Sequence, residues 1–124
     1  MRTVALAWQI DLRELRRPGW WSMIARIWRG WTRSWDADGY ARYLSTKTIP
    51  QCRAAPGNRG AYLLRRGDGD RTEFMAITLW DSLAAMRAFT GENGHQPPLP
   101  AHDARFLIDG APTVVHYETI DRPG

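Results

Sequence analysis

Residues 61–80 admit one economical local fold. Ala61 to Arg66 and Thr72 to Trp80 are each rich in strand formers, and Gly67-Asp-Gly-Asp70 between them is a hairpin turn. Thr72 to Trp80 is the most apolar of the candidate strands. The two flanks of this hairpin match each other. On the N-terminal side, Met23 to Trp31 alternates as a strand. Residues 36–49 then read as a helix, with Asp36 or Asp38 as cap and Tyr40, Tyr43 and Leu44 on one face. Pro50 limits the regular run of that helix, and a turn carries on to Cys52. On the C-terminal side, Asp81 or Ser82 caps a helix to about Thr90 that aligns Leu83, Met86 and Phe89. Gly91 to His102 is an irregular loop, Ala104 to Ile108 a short apolar segment, and Pro112 to Ile120 the last strand.

The order is β-α-β-β-α-β, the ferredoxin-like α+β arrangement: an antiparallel four-stranded sheet with two helices on one face. The chain has 124 residues, enough for one core and not two. It supplies no further helices for the second face of the sheet. A second copy of the chain is the economical cover, closing a dimeric α/β barrel in which two sheets meet face to face.

Residues 1–22 read as a separate N-terminal extension, with Arg16-Arg17-Pro18-Gly19 as a break, and residues 23–124 as the compact domain. The net charge of +4 is concentrated at the front. Seven arginines precede residue 36 there, against Asp11 and Glu14, and six of the seven tryptophans lie in the same stretch. Such a front reads as a solvated basic arm or as a docking element for a partner. No helix-turn-helix, RNP or zinc-finger pattern accompanies it, so no nucleic-acid partner is expected. No apolar run is long enough to span a membrane, and Asp11 cuts short the first apolar stretch. The expected location is the cytoplasm, with no membrane partner. The single cysteine, Cys52, excludes an internal disulfide and reads as a packed thiol. His95 and His102 stand seven apart in a proline-broken stretch, which is not a metal spacing. No metal and no cofactor are expected.

Sorting the strands by polarity, with the more apolar face against the helices, sends Met23, Ala25, Ile27, Met75, Ile77, Leu79, Val115 and Tyr117 to the helices. It leaves Ile24, Arg26, Trp28, Phe74, Ala76, Thr78, Trp80, Val114, His116 and Glu118 facing the barrel. A slip of one residue would invert the assignment. The barrel set joins aromatic walls to a few polar groups. It fits two readings: a small-molecule site, or a buried Arg–Glu pair with a satisfied histidine at a dimer interface. In the first, His116 is the general base, Glu118 orients it, and Arg26 stabilises a phenolate or enolate. Trp28, Trp80, Thr78, Phe74, Ile24 and Val114 then contact the substrate.

Five stretches resemble the antibiotic biosynthesis monooxygenase family. They are Met23-Ile-Ala-Arg-Ile-Trp-Arg-Gly30, Ala55-Pro-Gly-Asn-Arg-Gly60, Glu73-Phe74 with Leu79-Trp80-Asp81-Ser82, Phe89-Thr-Gly-Glu92 and Val115-His-Tyr-Glu118. The resemblance runs from about Met23 to Ile120 and implies a homodimeric α/β barrel. It also implies a cofactor-independent oxygenase of the anthrone-to-quinone type, with an aromatic polyketide-like substrate and dioxygen as partners. The family also holds cyclases that would use the same cavity, haem degraders, and members with no known activity. The haem degraders use an asparagine on the first strand, a tryptophan in the second helix and a histidine after it. Here Arg26, Trp28 and Phe89 stand at the first two places, and His95 alone falls near the third. Many relatives carry tyrosines where this chain has Pro97-Pro-Leu-Pro100. A non-catalytic dimeric binding protein is the other reading.

Overall fold

The computed structural model describes residues 23–91 and 101–121. Strands β1 (Ile24–Arg33), β2 (Asn58–Asp68), β3 (Arg71–Trp80) and β4 (Leu107–Glu118) form one antiparallel sheet in the order β2-β3-β1-β4. Helices α1 (Ala37–Tyr43), α2 (Ile49–Ala54), α3 (Leu83–Thr90) and the single turn α4 (Ala101–Ala104) complete the described chain. This is the ferredoxin-like α+β order expected from the sequence. The extension assigned to residues 1–22, and most of the loop before α4 with His95 and Pro97 to Pro100, lie outside the described residues. Among the described residues no helix is long and apolar enough to cross a membrane.

The hairpin closes at Gly69-Asp70, where Gly69 takes φ of 66° and Asp70 does not take a positive φ. A glycine at the first of two central positions suits the primed turns that match strand twist. The first helical segment is longer than expected. Residues 34–54 are helical throughout, as a 3-10 turn (Ser34–Asp36), α1, a π segment (Leu44–Thr48) and α2. Pro50 falls in the first turn of α2. Proline has no N–H to donate, and its ring crowds the carbonyl four residues back. The π segment widens the helix just before that point and lets the chain pass the proline. The Arg42 carbonyl, at the entry to the widened turn, accepts from Thr46 Oγ1 at 2.7 Å and Ser45 Oγ at 3.2 Å.

Neither expected aspartate caps this segment through its side chain. The chain turns directly from β1 into the 3-10 turn, and Asp38 instead accepts from Arg65. Ser82 does cap α3: its hydroxyl accepts from the Ala85 N–H at 3.0 Å. Ser82→Ala should therefore lower stability by about 1 kcal/mol in urea unfolding, with the slope unchanged.

β4 starts five residues earlier than Pro112. It joins the expected Ala104 to Ile108 segment to the last strand across an irregularity. Arg29 faces Thr113 while Trp31 faces Ile108, so β4 carries extra residues at this point. Asp109 and Gly110, with φ of 61° and 92°, absorb them. Arg71 on β3 donates to the Asp109 carboxylate across the bulge.

The sheet faces are the reverse of the polarity sorting. Ile24, Phe74, Trp80 and Val114 are buried, and the first three pack with helix residues. Ile24 and Trp80 join Leu83 and Met86 of α3, while Phe74 joins Ala37, Tyr40 and Leu44. The even-numbered positions of β1, β3 and the C-terminal half of β4 therefore face the helices. Ala25, Ile27, Met75, Ile77, Leu79, Val115 and Tyr117 lie on the opposite face, which no described element covers. Tyr62 and Tyr117 on that face are 59% and 55% exposed. The sorting failed because it assumed a dry apolar interface under the helices. The helices instead arch over a cavity that accepts polar groups, and the aliphatic face is the one left open.

Candidate active site

The cavity lies between the sheet and its helices and has a volume of about 250 Å³. Its floor is a strip of the central strands: Arg26 and Trp28 from β1, and Ala76 and Thr78 from β3. Leu44, Ile49 and Cys52 form the helical wall. Their spacing follows the helix across its π segment, so one continuous apolar stripe faces the sheet. Phe89 and Thr90 close the α3 side, and Tyr40 and Asp103 close the end nearest α4.

Antiparallel register sets the floor. Arg26 is opposite Thr78 on β3 and His116 on β4, so one row of the sheet reads Thr78, Arg26, His116. The next row on that face reads Ala76, Trp28, Val114. Directly opposite residues share a face, which puts the three polar side chains of the first row side by side. Trp80 is fully buried, and its indole N–H donates to Thr78 Oγ1 at 2.9 Å. The Thr78 oxygen is thereby held as an acceptor on one side, and its own proton is available to another group. Trp28 lies along the floor because Gly30 gives it room. A Cβ on Gly30 would come within 2.9 Å of both the Trp28 ring and Leu107.

Three ionisable groups in this cavity are displaced from their ordinary pKa. Burial pushes the Arg26 guanidinium down, and the nearby Cys52 sulfur partly offsets this. Burial pushes the Cys52 thiol up, against the pull of Arg26 and Arg53, which keeps it a neutral packed group. Tyr40 is pushed upward by burial and by its hydrogen bond to Asp103, so its phenol stays protonated. That bond, from Tyr40 Oη to Asp103 Oδ1, is 2.6 Å long and buried.

Of the residues expected at the site, Arg26, Trp28 and Thr78 line the cavity. Ile24, Phe74, Trp80 and Val114 are core residues on the same face of the sheet and lie outside the lining. His116 is 3% exposed, its two ring nitrogens are sealed from solvent, and it is not part of the lining. Glu118 lies one row further on, opposite Ile24, and is also outside it. All ten residues assigned to the barrel between two sheets therefore sit on the helical side of one protomer. Sequence reading missed Tyr40, Asp103 and Cys52 as cavity residues. Tyr40 and Asp103 are 63 positions apart, so no local pattern links them. Among the described residues no cluster of three or more histidine, cysteine, aspartate or glutamate side chains could hold a metal.

Residues 36–97 of the chain, half of its length, match the antibiotic biosynthesis monooxygenase family. The chain belongs to that family. No curated protein is matched by its sequence. Solved structures agree on the fold. A protein of unknown function from Nitrosomonas europaea shares 17% identity, covering 85% of this chain and 96% of its own, with a TM-score of 0.67. Rv0793 from Mycobacterium tuberculosis shares 23% identity over 83% of this chain and 100% of its own, with a TM-score of 0.61. SnoaB, a cofactor-independent oxygenase from Streptomyces nogalater, shares 17% over 82% and 96%, with a TM-score of 0.57. At these identities the likeness establishes the family architecture, and the chemistry of this family member has to be argued from its own cavity.

Proposed function

We propose that this monooxygenase-family protein is a cofactor-independent oxygenase acting on a flat, acidic aromatic ketone of the anthrone type. The observation that carries the reading is one half-buried cation, Arg26, on the floor of an otherwise largely apolar cavity with an indole beside it. A cavity of about 250 Å³ lies just below the usual range for drug-sized ligands, which suits a compact fused-ring molecule. Family membership and a fold shared with a cofactor-independent oxygenase support the same class of chemistry.

The overall change is R2CH2 + O2 → R2C=O + H2O. A base in the cavity removes one proton from the acidic methylene, and the electron pair delocalises onto the ketone oxygen. Arg26 donates to that oxygen and lowers the cost of its charge in a dry site. The electron-rich anion passes one electron to dioxygen, and the resulting pair of radicals combines into a carbon–oxygen bond. The peroxide takes up a proton. Loss of the second methylene proton then breaks the oxygen–oxygen bond, releasing hydroxide that is protonated to water. His116 fits here as a positioning residue, packed beside Arg26 in the same row of the sheet. The same base and cation would serve a cyclisation, which consumes no oxygen.

The working unit in this reading is a homodimer. The open sheet face brings Ile27, Ile77, Leu79, Tyr62 and Tyr117 together, and a contiguous apolar patch of this kind suits an interaction surface. The deciding experiment mixes purified protein with anthrone in air and follows oxygen consumption and quinone absorbance together. Stoichiometric oxygen uptake above the buffer rate is the expected result. Ring closure or binding without uptake would overturn the oxygenase reading.

A further inference from the structure

We infer that Asp103, held in place by Tyr40, is the proton acceptor of this cavity. The inference rests on the reading of Arg26 as the holder of the developing oxyanion.

Asp103 is buried and lines the cavity, and Tyr40 Oη donates to its Oδ1 at 2.6 Å. Among the described residues Asp103 is the one carboxylate in the lining. A phenol donating to one oxygen does two things. It fixes the rotamer of the carboxylate, and it leaves the other oxygen to accept a proton. Tyr40 is itself locked by three rings: stacked on Phe106 at 5.1 Å and Tyr43 at 6.2 Å, and edge-on to Phe74 at 5.2 Å. The carboxylate is thus supported by a rigid second layer, as a group that must meet a C–H at short range needs to be. A carboxylate is competent for such a step when hydrogen-bond donors hold the enolate oxygen.

Tyr40 packs on Phe74, which is opposite Gly30, while Arg26 stands four residues back along β1 with Trp28 between them. The guanidinium and the ring that holds Asp103 therefore stand over different rows of the sheet, with Trp28 on the row between. In the step itself, the C–H bond breaks and its proton goes to Asp103. The electron pair moves through the ring to the ketone oxygen beside Arg26. The neutral Asp103 carboxyl can then return a proton.

The test is anaerobic exchange of anthrone methylene protons for deuterium in D2O, followed by proton NMR with full-length protein. Wild-type protein should accelerate the exchange above the buffer rate. Asp103→Asn keeps a side-chain oxygen for the Tyr40 hydroxyl, and it should lose about 10²–10⁴-fold of that acceleration while still binding anthrone by saturation transfer. Tyr40→Phe should lower the turnover number about tenfold with a much smaller change in KM, since it keeps the ring in the cavity wall and removes only the hydroxyl that holds the carboxylate. Exchange retained by Asp103→Asn, or no acceleration by wild type, overturns the assignment. Exchange by the wild type without oxygen uptake in air would leave Asp103 as the base and remove the oxygenase reading instead.

Discussion

Arg26→Gln should lower the rate of anthrone deprotonation by about 10²–10³-fold, the cost of losing one well-placed oxyanion donor. The geometry gives this substitution an unusually clean interpretation. Glutamine keeps hydrogen-bonding capacity on a shorter side chain and removes the charge. The floor around it is set by strand register and does not depend on position 26, since Thr78 is tied to Trp80 and Trp28 lies over Gly30. Anthrone affinity should fall far less than the rate, because a neutral ketone gains little from a cation until the proton has left. Arg26→Lys should recover part of the loss, as a point charge without the planar fork. Equal loss of affinity and rate in Arg26→Gln would mean that the guanidinium binds the ground state, and its role as an oxyanion holder would be abandoned.

Much of the fold is legible in the sequence, because the relevant signals are local. The turn at Gly69-Asp70, inside the expected Gly67 to Asp70, the Ser82 cap, and the alignment of Tyr40 with Leu44 each depend on residues within a few positions of one another. Helix continuity past Pro50 is less legible. The proline signals a break, and the relief comes from a change of helix type that no residue among Leu44 to Thr48 announces. The site shows the same division. Arg26, Trp28 and Thr78 could be grouped from strand periodicity alone, and they do share the cavity. Their side of the sheet could not be read from polarity. Ile27, Ile77 and Leu79 look like core and face outward, while Arg26 and Thr78 look like surface and lie beneath helices. Polarity distinguishes the faces of a sheet when one face is solvated and the other dry. It fails when one face holds a cavity with a few polar groups in its lining and the other is an apolar surface. Asp103 shows the limit most plainly. Its partner is 63 residues away, and only the folded chain brings the two together.

The inversion of the faces has a measurable consequence at Trp80. Trp80→Ala should destabilise the folded protomer by about 3–5 kcal/mol, the usual cost of emptying a tryptophan-sized space in a core. Trp80 is fully buried, packs with Ile24, Leu83 and Met86, lies 5.3 Å from Phe89 ring to ring, and donates to Thr78. Removing it opens a void between β3 and α3 and leaves the Thr78 oxygen without its indole donor. The loss relative to wild type should therefore come without a change in self-association, because every contact involved lies within one chain. A tryptophan facing a barrel between two sheets would behave otherwise. Its removal would raise the dissociation constant of the dimer and lower stability through mass action. Tyr62→Ala is the matching control on the open face. Tyr62 is largely exposed, so its removal should cost the protomer less than 1 kcal/mol and act mainly on self-association. Sedimentation of the folded variants over a range of protein concentrations, beside urea unfolding, separates the cases. Weakened self-association in Trp80→Ala, with wild-type self-association in Tyr62→Ala, would put the barrel on the Trp80 face and refute the arrangement described above.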